Sequence, residues 1–213
     1  PLVEFAMKWL RSNVPEHRTV PGFIAFDAGQ FLFSEGRITA LYDFEFAMIG
    51  DPMTDIATMA MRQSHEPMGE EIEALCTYYG ELTGSPVDQR VIRYHHAVFA
   101  TVACMQFIGT IANPKPGDPH DIYLEWVLAL RRSLINALAA NIDVALVPPP
   151  PLETPEVASA KLYFMLGDMH RRITPADEMA EAMYGSTARL LEYAERVSRY
   201  APQLEALALA DAE

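Results

Sequence analysis

Apolar residues fall into short runs between positions 22 and 42, and into helical spacing from there to the end of the chain. The runs at 22–26, 31–33 and 38–42 are bounded by turn residues and read as strands. Ser34-Glu35-Gly36-Arg37 between the last two is a Gly-containing hairpin turn. A two-stranded hairpin is marginal in water by itself, so this one is expected to pack on helices. From residue 53 onward the spacing predicts helices over 53–63, 70–82, 88–111, 118–141, 155–169 and 175 to about 200. Asp51-Pro52, Thr154-Pro155-Glu156 and Thr174-Pro175-Ala176-Asp177 each set a capping side chain beside a Pro suited to a first helical turn. Gly84-Ser85-Pro86 and Asn113-Pro114-Lys115-Pro116-Gly117 stop the helices before them. The fold class is therefore α+β, mainly α: one small β-hairpin region followed by helices.

Four consecutive prolines, Pro148 to Pro151, cannot continue a helix and favour an extended segment. They divide the chain into a domain over 1–147, a linker over 148–152 and a helical tail over 153–213. A recognition segment for a proline-binding partner is the alternative reading of the prolines. In the tail, Leu162, Met165, Leu166 and Met169 recur at helical spacing, as do Met179, Ala182, Met183, Leu190 and Leu191. This stripe is expected to be core, in a helical pair that folds back on the rest of the chain or joins a second subunit as a homodimer.

Composition narrows the class. With 50% hydrophobic and 21% charged residues the chain is an ordinary globular one, and at 213 residues it is long enough to bury a sizeable core. No apolar run approaches the roughly 20 residues that span a bilayer and no signal peptide opens the chain, so the expectation is a cytoplasmic protein with no membrane partner. A net charge of −13 argues against nucleic acid, whose phosphates call for clustered Lys and Arg. Cys76 and Cys104 lie in apolar helical sequence without metal-ligand spacing and read as reduced core residues. His95 and His96, adjacent on one predicted helix, point about 100° apart and do not suit a shared metal ion, so a structural or pocket role is expected.

The candidate chemistry lies between Gly36 and Asp55, where a strand ends in Asp43-Phe44-Glu45 and an acidic turn, Gly50-Asp51-Pro52, leads into a helix carrying Asp55. A carboxylate at a strand end is well set to hold a hard cation. This segment resembles the metal-binding part of the aminoglycoside phosphotransferase and choline kinase-like family: a strand ending in Asp-Trp-Glu, then Gly-Asp-Pro and a further Asp. Gln30-Phe31-Leu32-Phe33 with Gly36-Arg37 is similar to the family's hairpin, and the stretch from Trp9-Leu10 to Pro15 to the helix before it. The resemblance extends over 1–61 and more loosely to 111. It implies a protein kinase-like C-terminal lobe that phosphorylates a hydroxyl of a small molecule with ATP and Mg²⁺. In that reading Asp43 is the main Mg²⁺ ligand, Gln30 stands in for an Asn ligand, and Asp51 and Asp55 brace the catalytic loop and cap the helix. His65-Glu66-Pro67 falls where related proteins continue toward the acceptor pocket.

Two departures qualify that implication. A gapless alignment places Phe23, Ile24 and Ala25 on the family's His-Gly-Asp motif, leaving no catalytic aspartate, whereas a loop shorter by two residues puts Asp27 in the catalytic place. Taken alone, Asp27 also reads as a turn former beside Ala28-Gly29. The Gly-rich loop and Lys that such enzymes set over the phosphates are not in this sequence, which begins at a helix of the C-terminal lobe. A start at Pro1 implies truncation or processing. The alternative function is a catalytically inactive kinase-like protein that binds a ligand or a partner.

Overall fold

The structure, a computed structural model, describes residues 1–63, 66 and 69–210. His65 and Pro67 lie outside them. The elements run α1 (Leu2–Ser12), β1 (Gly22–Ile24), β2 (Phe31–Ser34), β3 (Arg37–Leu41), a 3-10 turn (Phe44–Phe46), β4 (Met48–Gly50), α2 (Met53–Gln63), α3 (Ile72–Thr83), α4 (Gln89–Ala112), α5 (His120–Asn141), α6 (Ala160–Arg171) and α7 (Glu178–Ala210). They form two compact units, Pro1–Lys115 with Tyr123–Leu146, and Pro116–Ile122 with the chain from Val147 onward. The fold is mainly helical with small antiparallel sheets, as the apolar spacing predicted.

In the first unit α4 is the central post. One face carries Ala97, Ala100, Ala103 and Cys104, all buried, and these small side chains let Met61 of α2, Ala6 of α1 and Leu130, Leu134 and Leu138 of α5 pack closely. Toward its N-terminus Val91 and Ile92 join Met53, Ile56 and Ala57 of α2 and Cys76 of α3 in a second cluster. Asp88 begins α4 by accepting the Arg90 N–H at 2.9 Å. Both cysteines are free and buried, and burial pushes the Cys104 thiol up to about 11. By length and composition α4 is the one described helix long and apolar enough to cross a membrane, which amends the expectation that no stretch approaches that length.

The strands differ from the sequence reading in two ways. Among the described residues there are two separate two-stranded sheets rather than one hairpin region, because Met48–Gly50 pairs antiparallel with Gly22–Ile24. Gly22 faces Gly50 in that ladder. A Cβ on Gly22 would stand 2.8 Å from Pro52 Cγ, so the missing side chain permits the close crossing. The β2–β3 hairpin turns through Glu35 and Gly36, both with positive φ (51° and 73°), the pairing that matches strand twist. The hairpin does not pack on helices as expected. Every residue of β3 is exposed, and only Phe31 of β2 is partly covered. Its turn geometry and cross-strand pairs hold it instead. β1 is the anchored strand: Ile24 is 2% exposed, and its Cδ1 reaches to within 3.0 Å of where a Gly50 Cβ would stand. Ile24→Val is expected to lower stability by about 1 kcal/mol in chemical denaturation, by loss of that methyl group.

In the second unit α6 begins at Ala160, not at 155. The residues before it find their backbone partners on α7: Gln203 bonds both the N–H and the carbonyl of Glu153, and Arg199 donates to the Pro155 carbonyl. Asp177 caps the start of α7 by accepting the Ala180 N–H at 2.8 Å. α7 then continues through Pro202 to Ala210, since one missing N–H costs stability without ending a long helix. Ser186 and Arg189 of α7 both donate to Asp121. Within the single chain the Met-rich stripe expected to be core is largely exposed at Leu162, Met165, Met169, Met179 and Met183. The two helices meet through other residues, with His170 stacked on Tyr184 at 3.9 Å and Ser159 bonded to Ser198 at 2.6 Å.

Candidate active site

Backbone pairing brings Asp27 to the same place as Asp43 and Glu45. The hairpin closes at Phe31↔Leu41, and the Tyr42 N–H then donates to the Gln30 carbonyl at 3.1 Å, which sets Gln30 beside Asp43. The β1–β4 ladder ends at Ile24↔Met48 and carries the loop after β1 alongside Glu45 and Phe46. Asp27, Gln30, Asp43 and Glu45 consequently line a single cavity of ≈ 340 Å³. Asp43 is left-handed (φ 63°, ψ 51°), a conformation Asp tolerates better than most residues, and it turns the chain from β3 into the 3-10 turn.

The loop after β1 is held by a polar stripe on α2. Asp55 accepts the N–H groups of Ala25 and Phe26 at 3.1 and 2.9 Å. Thr58, fully buried, accepts the Ala28 N–H at 3.4 Å. Arg62 grips Asp27 with two nitrogens at 2.8 and 2.6 Å and reaches Glu66 with a third at 2.7 Å. Residues 55, 58 and 62 are three and four apart, so one face of the helix supplies all three contacts. Phe26 is thereby held at φ 68°, strained for a bulky side chain, with its ring packed 5.2 Å from that of Phe99. Gly29 is shaped to this grip. A Cβ there would come within 2.7 Å of the Arg62 side chain.

Electrostatics follow from these contacts. The Asp27 carboxylate, backed by Glu66, raises the Arg62 pKa. Burial pushes the Asp55 carboxyl above the ordinary range, opposed by its two N–H donors. The neighbouring Asp43 charge raises the pKa of Glu45, as two carboxylates held close together do. Gln30 donates its amide nitrogen to Asp27 at 3.3 Å, which leaves the amide oxygen as its free acceptor. Among the described residues no group of three or more His, Cys, Asp or Glu side chains could hold a metal ion. Two carboxylates and an amide oxygen nevertheless suit Mg²⁺, which is commonly bound by one or two carboxylates with the rest of its shell from phosphates and water.

Asp51 has no place in the cavity. It takes a bidentate pair from Arg18 at 2.9 and 2.8 Å, caps Met53 at 3.1 Å, and meets His95 Nε2 at 3.3 Å, while His95 Nδ1 faces Thr54 Oγ1 at 3.2 Å. This network ties α4 to the start of α2, so His95 is structural. His96 is bonded to Ser133 of α5 at 2.7 Å. Of the alternatives for the catalytic position, Ala25 offers only its N–H to Asp55, Phe23 is exposed against Phe44, and Asp27 alone brings a carboxylate to the cavity. Arg62 escaped the sequence reading, although the run Asp55, Thr58, Arg62 on one face of a largely apolar helix was a visible signal.

Fold and site together define a mainly helical α+β protein with a loop-borne acidic cluster facing an apolar cavity. Residues 1–91 match the phosphotransferase enzyme family, APH, as the sequence resemblance indicated. That segment holds the four strands found among the described residues, with Asp27, Gln30, Asp43 and Arg62. No curated protein and no solved structure matches the chain.

Proposed function

We propose that this protein is a phosphotransferase of kinase-like C-terminal lobe type, which transfers phosphate from ATP to a hydroxyl of a small molecule with Mg²⁺. The observation that carries this reading is the convergence of Asp27, Gln30 and Asp43 on one cavity within the segment that matches the phosphotransferase family. Asp43 and the Gln30 amide oxygen would hold the Mg²⁺, with Glu45 beside them. When bound, the metal would neutralise phosphate charge, which is most of what phosphoryl transfer asks of a protein beyond positioning. Asp27 would accept a hydrogen bond from the acceptor hydroxyl and orient it, with Arg62 fixing the carboxylate.

Calorimetric titration of ATP with Mg²⁺, into this chain and into the chain extended upstream, tests the reading. Asp43→Asn is expected to remove metal-dependent nucleotide binding while leaving the thermal transition in place, and unchanged binding would take Asp43 out of the site. Asp27→Asn is expected to lower turnover at least tenfold with nucleotide affinity kept.

A second reading, a catalytically inactive kinase-like binding protein, draws on one specific observation. Both Asp27 oxygens are already engaged by Arg62. Equal turnover of Asp27→Asn and the parent, or no nucleotide binding in either length of chain, would favour it.

A further inference from the structure

We propose that the cavity beside Asp27 and Asp43 takes an alcohol with an alkyl or aromatic body, and rejects polyhydroxylated and polycationic molecules. The cavity is sharply two-sided. Asp27, Gln30, Asp43 and Glu45 form the loop rim with Arg62 and Glu66 beside them, whereas α4 and α5 present mainly Phe99, Val102, Phe107, Trp126 and Leu130, with Gln106 among them and Phe46 alongside. Val102, Trp126 and Phe46 keep 40%, 42% and 38% of their surface exposed, although they converge on one concave site. Exposed apolar surface collected in a cavity is what a bound apolar body would cover.

The wall is stiff. Phe107 meets Trp126 edge-on at 5.1 Å, and Tyr123 supports both rings from 5.9 and 6.0 Å. A molecule with its hydroxyl at the Asp27 rim therefore has to lay the rest of itself on hydrocarbon. Gln106 can partner a second hydroxyl, but a polyol would leave its further hydroxyls facing the hydrocarbon wall without partners, a cost of the kind that discriminates strongly between ligands. A polycation could meet Asp43 and Glu45 at the rim, and would strand any charge that its body carries along the hydrocarbon wall. At ≈ 340 Å³ the cavity lies near the small end of ligand sites, so the body is compact. Phe99 to Leu130 lies outside the residues that match the phosphotransferase family, so this selectivity belongs to the chain's own helices. The proposal rests on the phosphotransferase reading only in treating the ligand as an acceptor.

Trp126 reports on the site, and Trp9, the other tryptophan, does not line this cavity. In a Trp9→Phe background, 4-phenylbutan-1-ol and hexan-1-ol are expected to change Trp126 emission saturably without nucleotide or metal, and glucose or a polycationic aminoglycoside to leave it unchanged at tenfold higher concentration. Val102→Asp, at an exposed helical position, is expected to weaken phenylbutanol binding at least tenfold with little change in thermal unfolding. Phe46→Ser, read by calorimetry, is a second variant expected to act in the same direction. Binding of glucose as tight as that of phenylbutanol, no saturable signal with either apolar alcohol, or binding unaltered by both substitutions would overturn the proposal. Apolar-alcohol binding in a protein that never binds Mg²⁺-ATP would support it while sinking the phosphotransferase reading. Nucleotide binding without apolar-alcohol binding would do the reverse.

Discussion

Asp55→Ala is expected to cost about 3 kcal/mol of stability and to release the loop that carries Asp27. The carboxylate accepts two backbone N–H groups, from Ala25 and Phe26, and each hydrogen bond to a charged group is worth about 1.5–3 kcal/mol. Against this stands the relief of a carboxylate whose desolvation raises its pKa, which holds the net loss near the bottom of the summed range of about 3–6 kcal/mol. Released strain offsets the loss as well, because Phe26 keeps its left-handed backbone only while the surroundings insist on it, and such strain is of order 1–3 kcal/mol. With the acceptor gone, Phe26 can relax and its ring leave Phe99. Asp55→Asn keeps one acceptor oxygen and is expected to lose about half as much. Urea denaturation measures the stabilities, and amide hydrogen exchange at Ala25 and Phe26 locates the change. Slow exchange at both amides in Asp55→Ala would show that the loop is held by something else.

Acidification from pH 7 to pH 4 is expected to remove up to about 3 kcal/mol through His96 alone. Burial between α4 and α5 pushes this imidazole down to about 4, with Ser133 Oγ as its bonded neighbour at 2.7 Å. In the unfolded chain it takes up its proton near pH 6.5, and in the folded chain only near pH 4. Between those values the unfolded state binds more protons, so stability falls as the pH drops through the window and is fully retained above it. A gap of roughly 2.5 pH units at about 1.4 kcal/mol each gives the magnitude. His95 adds in the same direction, since desolvation lowers its pKa despite the Asp51 charge facing it. His96→Gln removes one titration and is expected to flatten the curve of urea midpoint against pH between 6.5 and 4. Parallel curves for the variant and the parent would mean that His96 is not the group responsible.

These contacts show which parts of the molecule local sequence could specify. The hairpin was legible because Gly36 sits where a tight turn needs positive φ and apolar runs flank it on both sides. The helix at 53–63 was legible from Asp51-Pro52 ahead of a periodic apolar face, and Asp51 does cap it. Strand β4 was not, since three residues carry no periodicity and its pairing with β1 depends on a segment 26 residues away. The start of α6 was misplaced for a related reason: Thr154-Pro155-Glu156 has the composition of a cap, but the backbone of Glu153 and Pro155 is claimed by Gln203 and Arg199, 50 and 44 residues later. At the candidate site the acids were visible as a motif. The cation that binds one of them was visible only as a spacing, and its partner at position 27 could be known only once the loop was folded onto α2.

Gly29 gives that last contact a wider meaning. The Arg62 side chain lies where any side chain on residue 29 would have to go, and its grip on Asp27 depends on that space. Positions 27, 29 and 62 therefore cannot drift independently. A lineage that exchanges the hydrogen at 29 for a methyl group must also surrender the arginine's pose, and with it the orientation of the acid. Substitutions at these three sites are expected to arrive together or not at all, so the history of this loop would be written as joint replacements across 35 residues of sequence.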